Sequence, residues 1–248
     1  MVYKESKNVI IFSLLLLQLI LGFNVKSEEE NNLMNKNASQ SLTLPFLKGE
    51  EVKITEGWIY SEEEKSIHGI ANHQAIDYSG LRGTPVLASA DGYAVSTSQI
   101  AYLSRIYQGK RVGYGYGNYV IIWHPEKKLY TLYAHLEQAA PDIPYFQPEE
   151  RSYGGWGPPP TLSLKPEDLL KNAKFVKKGE LIGWMGDSGL SWGYDELPRL
   201  RPDPICYPSW DEPHLHFEVF TINAEGKKVK LDPYGIYGTA EEYKDVKL

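Results

Sequence analysis

From about residue 45 onward the chain is written in short runs rich in β-branched and aromatic residues, separated by Gly, Pro, Asn and Asp, and this rhythm demands a mainly β fold. Residues 86–90 and 93–97 flank Asp91-Gly92, a dipeptide suited to the positive φ angles of hairpin turns, and read as strand, tight turn and strand. Residues 118–124 and 129–136 repeat the arrangement around a longer turn at 125–128, and 181–185 form a further strand. Residues 214–222 and 227–231 close on a turn at 223–226. No internal repeat is present.

Two stretches interrupt the rhythm, 137–174 and 190–213. The first is rich in Pro and aromatics and ends in Pro166-Glu167-Asp168-Leu169-Leu170-Lys171, where Pro in the first turn, acids behind it and a late Lys suggest one short helix. Loops this long in a compact domain carry function or are disordered, and their aromatics argue against disorder. Tyr153, Trp156, Trp192, Tyr194, Tyr207 and Trp210 offer flat faces with polar tips, suited either to gripping a ligand or to anchoring the loops on the β-domain.

With 248 residues, 42% of them apolar and 23% charged, the chain can bury a real core. The balance of 26 Lys+Arg against 32 Asp+Glu gives −6, without the basic excess of a protein that binds phosphate backbones, so nucleic acid is excluded as a partner. Lys4 and Lys7 precede an apolar run at 9–21, and Val25 and Ser27 stand where export signals are cut. That run is shorter than the roughly 20 residues a spanning helix needs, so residues 1–27 read as a signal peptide, with an uncleaved anchor as the alternative and the only membrane contact. Residues 28–44 are polar and aperiodic, a tether to a domain at 45–248. The body is therefore expected to be exported to the periplasm, cell envelope or extracellular space. Cys206, the one cysteine, forbids an internal disulfide, leaving stability to the core or to a metal, and itself reads as an ordinary free thiol.

Chemistry concentrates in the histidines. His214-Leu215-His216 lies in an apolar run, and on a strand residues i and i+2 share a face, so the pair can supply one metal ligand and one imidazole beside the bound water. His73 and Asp77 would stand ~13 Å apart on a straight strand, too far to share an ion held at about 2 Å. If His73 lies in a turn that feeds the strand holding Asp77, the two converge. Together with a distant His they make a three-ligand set that leaves zinc an open position, as hydrolytic zinc requires. His135, in Tyr133-Ala134-His135-Leu136, is either a satisfied core histidine or a second imidazole facing the water. His68 and His124 have no such partner and read as structural or surface residues.

These residues, with the pieces around them, resemble the lysostaphin-type (LytM-like) zinc metalloendopeptidases. The match runs through His73-x3-Asp77, Gly83-Thr84-Pro85-Val86, Ala90-Asp91-Gly92 and Gly117-Asn118-Tyr119-Val120. It continues through Tyr133-Ala134-His135-Leu136, Lys178-Gly179-Glu180-Leu181-Ile182-Gly183, Gly186-Asp187-Ser188-Gly189 and His214-Leu215-His216-Phe217-Glu218, closing at Asp232-Pro233. The resemblance implies an antiparallel β-sheet domain with a narrow groove. It also implies one Zn2+ held by His73, Asp77 and His216, with His135 and His214 acting on the water and the oxyanion. The implied substrate is the peptide crosslinks joining the stem peptides of bacterial peptidoglycan. A non-catalytic or autoinhibited envelope protein of the same fold, binding peptidoglycan or regulating another hydrolase, is the alternative. A carboxypeptidase that trims stem peptides is a third. Ala75 stands where the family often has Gly, which changes backbone approach without removing a ligand.

Overall fold

A computed structural model describes residues 42–62, 65, 72–99, 103–107, 110–146, 162–192, 213–244 and 246. Its strands are β1 (Lys53–Glu56), β2 (Ile76–Ser79), β3 (Pro85–Leu87), β4 (Gly92–Gln99), β5 (Leu103–Tyr107), β6 (Lys110–Tyr114), β7 (Gly117–His124), β8 (Leu129–Ala139), β9 (Lys174–Val176), β10 (Leu181–Met185), β11 (Leu190–Trp192), β12 (His214–Ile222) and β13 (Lys228–Leu231). Ten of them make one sheet whose main path is β1-β2-β12-β8-β7-β4-β9, with β13 beside β12 and β10 between β3 and the far end of β8. A second sheet has the order β11-β6-β5. All these strand pairs are antiparallel, which makes the fold a mainly β, antiparallel one.

Alternation along the strands divides the apolar residues between two faces of the large sheet. One face carries the main core, where Ile76, Tyr78, Val120, Ile122, Tyr133, Leu215, Phe217 and Val219 pack together. The other carries a smaller cluster with Tyr119, Ile121, Tyr130, Leu132, Ala134 and Phe220, in which Tyr130 stacks on Phe220 at 5.1 Å. The short helix α1 (Pro166–Leu169) has Pro at its start and Glu167 and Asp168 in its first turn, and buries Leu169 against this second cluster.

The hairpins at 118–136 and 214–231 form as the turn residues suggest, His124 pairing with Leu129 and Ile222 with Lys228. The one expected around Asp91-Gly92 does not. β3 pairs with β10, whereas β4 pairs with β7 and β9, so the chain changes partners between the two runs instead of folding back. Gly92 is required there by space: a Cβ would meet the Trp123 carbonyl oxygen at 2.5 Å. Strand β8 also continues to Ala139, three residues into the stretch read as loop.

His124 is structural, as its lack of partners in the sequence suggested. Its Nδ1–H donates to the Asp91 carbonyl and its Nε2 pairs with the Thr131 hydroxyl, both at 2.8 Å. Burial pushes its pKa down to about 4, so the folded chain holds the ring neutral. The unfolded chain protonates it near ~6.5. Stability present above that pH is therefore lost as pH falls from ~6.5 toward the folded value, by ~3 kcal/mol if the full shift applies. His124→Gln should flatten this part of the stability curve in urea titrations run at several pH values, and an unchanged slope would assign the pH dependence to other groups.

Candidate active site

The site spans three neighbouring strands. Asp77 in β2 stands directly opposite His216 in β12, and His216 stands opposite Ala134 in β8, all on the face that carries the smaller cluster. His214, His216 and Glu218 follow one another at two-residue spacing along that face.

His73 reaches the same place from just ahead of β2. Gln74 takes a φ of 58°, which kinks the chain, and His73 Nε2 comes within 3.3 Å of Asp77 Oδ2. Ala75, behind the kink, is fully buried, so the bend is carried by Gln74 and leaves room for a side chain at 75. The ring of His73 is fixed on its other side by an Nδ1–H donated to the Gly57 carbonyl at 2.9 Å, and Tyr60 stacks on it at 4.6 Å. His216 Nδ1 lies 2.9 Å from Asp77 Oδ1 and 3.1 Å from His73 Nε2.

Ligand atoms at the corners of a tetrahedron with bonds of about 2.0–2.1 Å are about 3.3 Å apart. The 3.1 Å between the two imidazole nitrogens matches that edge, and the Asp77 carboxylate turns one oxygen to each ring, Oδ1 to His216 at 2.9 Å and Oδ2 to His73 at 3.3 Å. One ligand atom from each residue lies within 4.8 Å of the others, close enough for one small cation to be shared. Two imidazole nitrogens and one carboxylate oxygen are also the donor set that zinc accepts.

His135 arrives by a different device. Tyr133 belongs to the main core and Ala134 to the opposite face, so simple alternation would send His135 back into the core. Instead the β7–β8 register slips between the pairs Asn118–Leu136 and Val120–Tyr133, and His135 takes a φ of 59°. This bulge puts an extra residue into β8 and turns His135 onto the site face, 4.7 Å from the His214 ring and 5.8 Å from that of His216. Leu136 then returns to the core.

The bulge is braced by the segments around Gly117 and Gly186-Asp187-Ser188-Gly189. His135 Nδ1–H donates to the Ser188 carbonyl at 2.8 Å, its backbone N–H to Tyr116 O at 2.9 Å, and its own carbonyl accepts from Gly186 N–H at 3.0 Å. Ser188 Oγ donates to Leu136 O at 2.6 Å and accepts from Asn118 N–H at 2.9 Å. Gly117, at a φ of 60°, lets the two segments touch, since a Cβ would sit 2.2 Å from the Ser188 carbonyl. Those glycines therefore serve the orientation of one imidazole.

The electrostatics follow from burial. His73 is pushed down by burial despite the nearby Asp77 carboxylate. His135 is pushed well below its ordinary value, first by burial and then by the neighbouring imidazoles of His214 and His216. Burial works against ionising Asp77, yet His73 and His216 together hold it well below the usual carboxylate range. For His216 burial is again opposed by Asp77, and here the carboxylate wins and the pKa rises. His214 Nε2 stands 4.0 Å from Asp77 Oδ2.

All five residues singled out from the sequence, His73, Asp77, His135, His214 and His216, thus lie together. Sequence reasoning passed over Tyr60, Tyr116 and the buried carboxylate of Glu218, which His216 Nε2 meets at 3.1 Å. Two-residue alternation from His214 would have found Glu218; the tyrosines, which approach from other strands and loops, left no local signal. His68, Cys206, the signal at 1–27 and all but Trp192 of the aromatic residues named in the two long loops lie outside the described residues, and for Trp192 only the backbone of β11 is described.

Residues 71–143 match the family model of Peptidase family M23. The chain is 28% identical over 154 residues to an uncharacterized metalloprotease of Haemophilus influenzae, covering 62% of this chain and 19% of that protein. It is 29% identical over 152 residues to the DD-carboxypeptidase/endopeptidase Mpg of Neisseria meningitidis serogroup B, covering 61% and 21%. The chain therefore spans about a fifth of the length of these curated relatives. Among solved structures, a zinc containing peptidase from Vibrio cholerae is similar at a TM-score of 0.38 and 22% identity over 77% of this chain and 39% of that one. Three of the five site residues fall inside the segment that matches Peptidase family M23 and the other two sit on the strand paired with it, in keeping with the resemblance to the lysostaphin-type family.

Proposed function

We propose that the protein is a zinc-dependent endopeptidase that hydrolyses the peptide crosslinks of bacterial peptidoglycan. The observation that carries this reading is the convergence of two imidazoles and a carboxylate, close enough to share one ion, beside two further imidazoles. His73 Nε2, the Asp77 carboxylate and His216 Nδ1 would hold one zinc ion per domain. When bound there, zinc lowers the pKa of a water toward ~7 and polarises a carbonyl.

The remaining work belongs to the chain. With its Nδ1–H committed to Ser188, His135 turns a lone pair on Nε2 toward the site and accepts a proton from the attacking water. His214, beside it, faces the carbonyl oxygen of the substrate and stabilises the charge that develops there. Asp77 stays ionised and balances the charge of the imidazoles around it. The apolar run at 9–21 supports export, which brings the domain to the polymer.

The test is incubation of the zinc-loaded protein with peptidoglycan of defined crosslinks, with new amino and carboxyl termini located by mass spectrometry. Cleavage within the crosslink is the expected result. Release of only the terminal residue of stem peptides would make the protein a carboxypeptidase, and binding without new termini would leave the non-catalytic reading.

A further inference from the structure

Behind His216, on the side away from His73 and Asp77, lies a buried acid that the chemistry above does not use. Glu218 is fully buried, and its carboxylate collects four donors. His216 Nε2 stands 3.1 Å from Oε1, the Tyr116 hydroxyl donates at 2.8 Å and Lys230 Nζ at 2.6 Å, while Lys228 Nζ donates to Oε2. The two lysines come from β13, at two-residue spacing on one face, and Lys228 also lies over the Phe220 ring at 4.1 Å.

We propose that Glu218 is a positioning residue for the metal centre, accepting the Nε2–H of His216 and so holding that ring with Nδ1 aimed at His73 and Asp77. The inference rests on the reading of His73, Asp77 and His216 as zinc ligands. An imidazole has one proton to place when neutral, and only the Nε2–H form leaves Nδ1 a lone pair for an ion. The ring divides its two nitrogens accordingly, Nδ1 toward the donor cluster at 2.9–3.1 Å and Nε2 toward Glu218. A carboxylate partner on the far nitrogen orients a ligating histidine and raises its basicity.

The lysines explain how such an acid is kept. An unpaired buried carboxylate would take up a proton and lose its value as an acceptor. Two ammonium groups hold Glu218 ionised, and their own charge is offset by it. Tyr116 fills a remaining lone pair and at the same time lends its carbonyl to His135. A cheaper arrangement would serve if this cluster only filled space, since apolar residues pack such a position without four polar partners.

The test measures zinc affinity by chelator competition for the wild type, for Glu218→Gln and for Glu218→Gln/Lys230→Met, in which one uncompensated ammonium is removed. Melting curves establish which variants fold. The expected result is a zinc Kd raised about 10–100-fold in each folded variant. Nitrogen-15 NMR of the zinc-loaded wild type should show His216 with its proton on Nε2. A Kd within about twofold of wild type in a folded variant, or a His216 Nε2 without its proton, overturns the proposal, and the NMR result decides alone if neither variant folds. A wild type that binds no zinc would instead overturn the ligand assignment, and this inference with it.

Discussion

Asp77→Ala is expected to abolish zinc binding, lowering the metal content of the purified protein from one equivalent to near zero and its hydrolytic activity with it. The carboxylate stands between both imidazole ligands, at 2.9 Å from one and 3.3 Å from the other, and supplies the only negative charge in the donor set. His73→Ala and His216→Ala should act alike, because a site reduced to two protein ligands holds zinc too weakly to survive purification. Metal analysis after gel filtration reads the effect directly. Full occupancy in Asp77→Ala would show that the ion sits elsewhere.

His135→Ala and His214→Ala should separate chemistry from binding. Each should retain its zinc and its melting temperature near that of wild type, while hydrolysis of crosslinked peptide falls ~10²–10⁴-fold, the usual span for a lost proton acceptor or oxyanion donor. His135 is the more demanding case, since its ring is buried and its Nδ1–H satisfies the Ser188 carbonyl. For that reason His135→Gln, which can still donate to Ser188, is the better comparison if alanine costs stability. Native rates in either variant would return that residue to the ordinary packing of the sheet.

The same histidines show how far a sequence can be read and where it stops. His214 and His216 were legible because two-residue spacing on a strand needs no tertiary information. The His73–Asp77 pair was legible only as a condition, that the chain must bend ahead of the strand, and Gln74 supplies the bend without being Gly, Asn or Asp. His135 could be read correctly as a residue and not as a direction. Its bulge depends on a register slip against β7 and on Ser188, 53 residues away, neither of which leaves a local mark. Asp91-Gly92 failed for a related reason, since a turn dipeptide reports local backbone freedom, whereas partner choice between β3 and β4 was settled by the competing edges of β10 and β7. The hairpin of β5 and β6 was missed altogether.

The pairing of Asp77 with His216 has a consequence for how the chain survives once made. These residues are 139 positions apart, so an ion held between them closes a loop that spans most of the domain, in a protein whose single cysteine can staple nothing. The unfolded chain keeps only short-range pairs such as His73 with Asp77 and His214 with His216 to hold zinc, and an ion bound preferentially to the folded sheet stabilises it in proportion to the logarithm of its free concentration. Zinc supply would then govern lifetime as well as turnover: where the metal is scarce, the first loss would be resistance to unfolding and proteolysis.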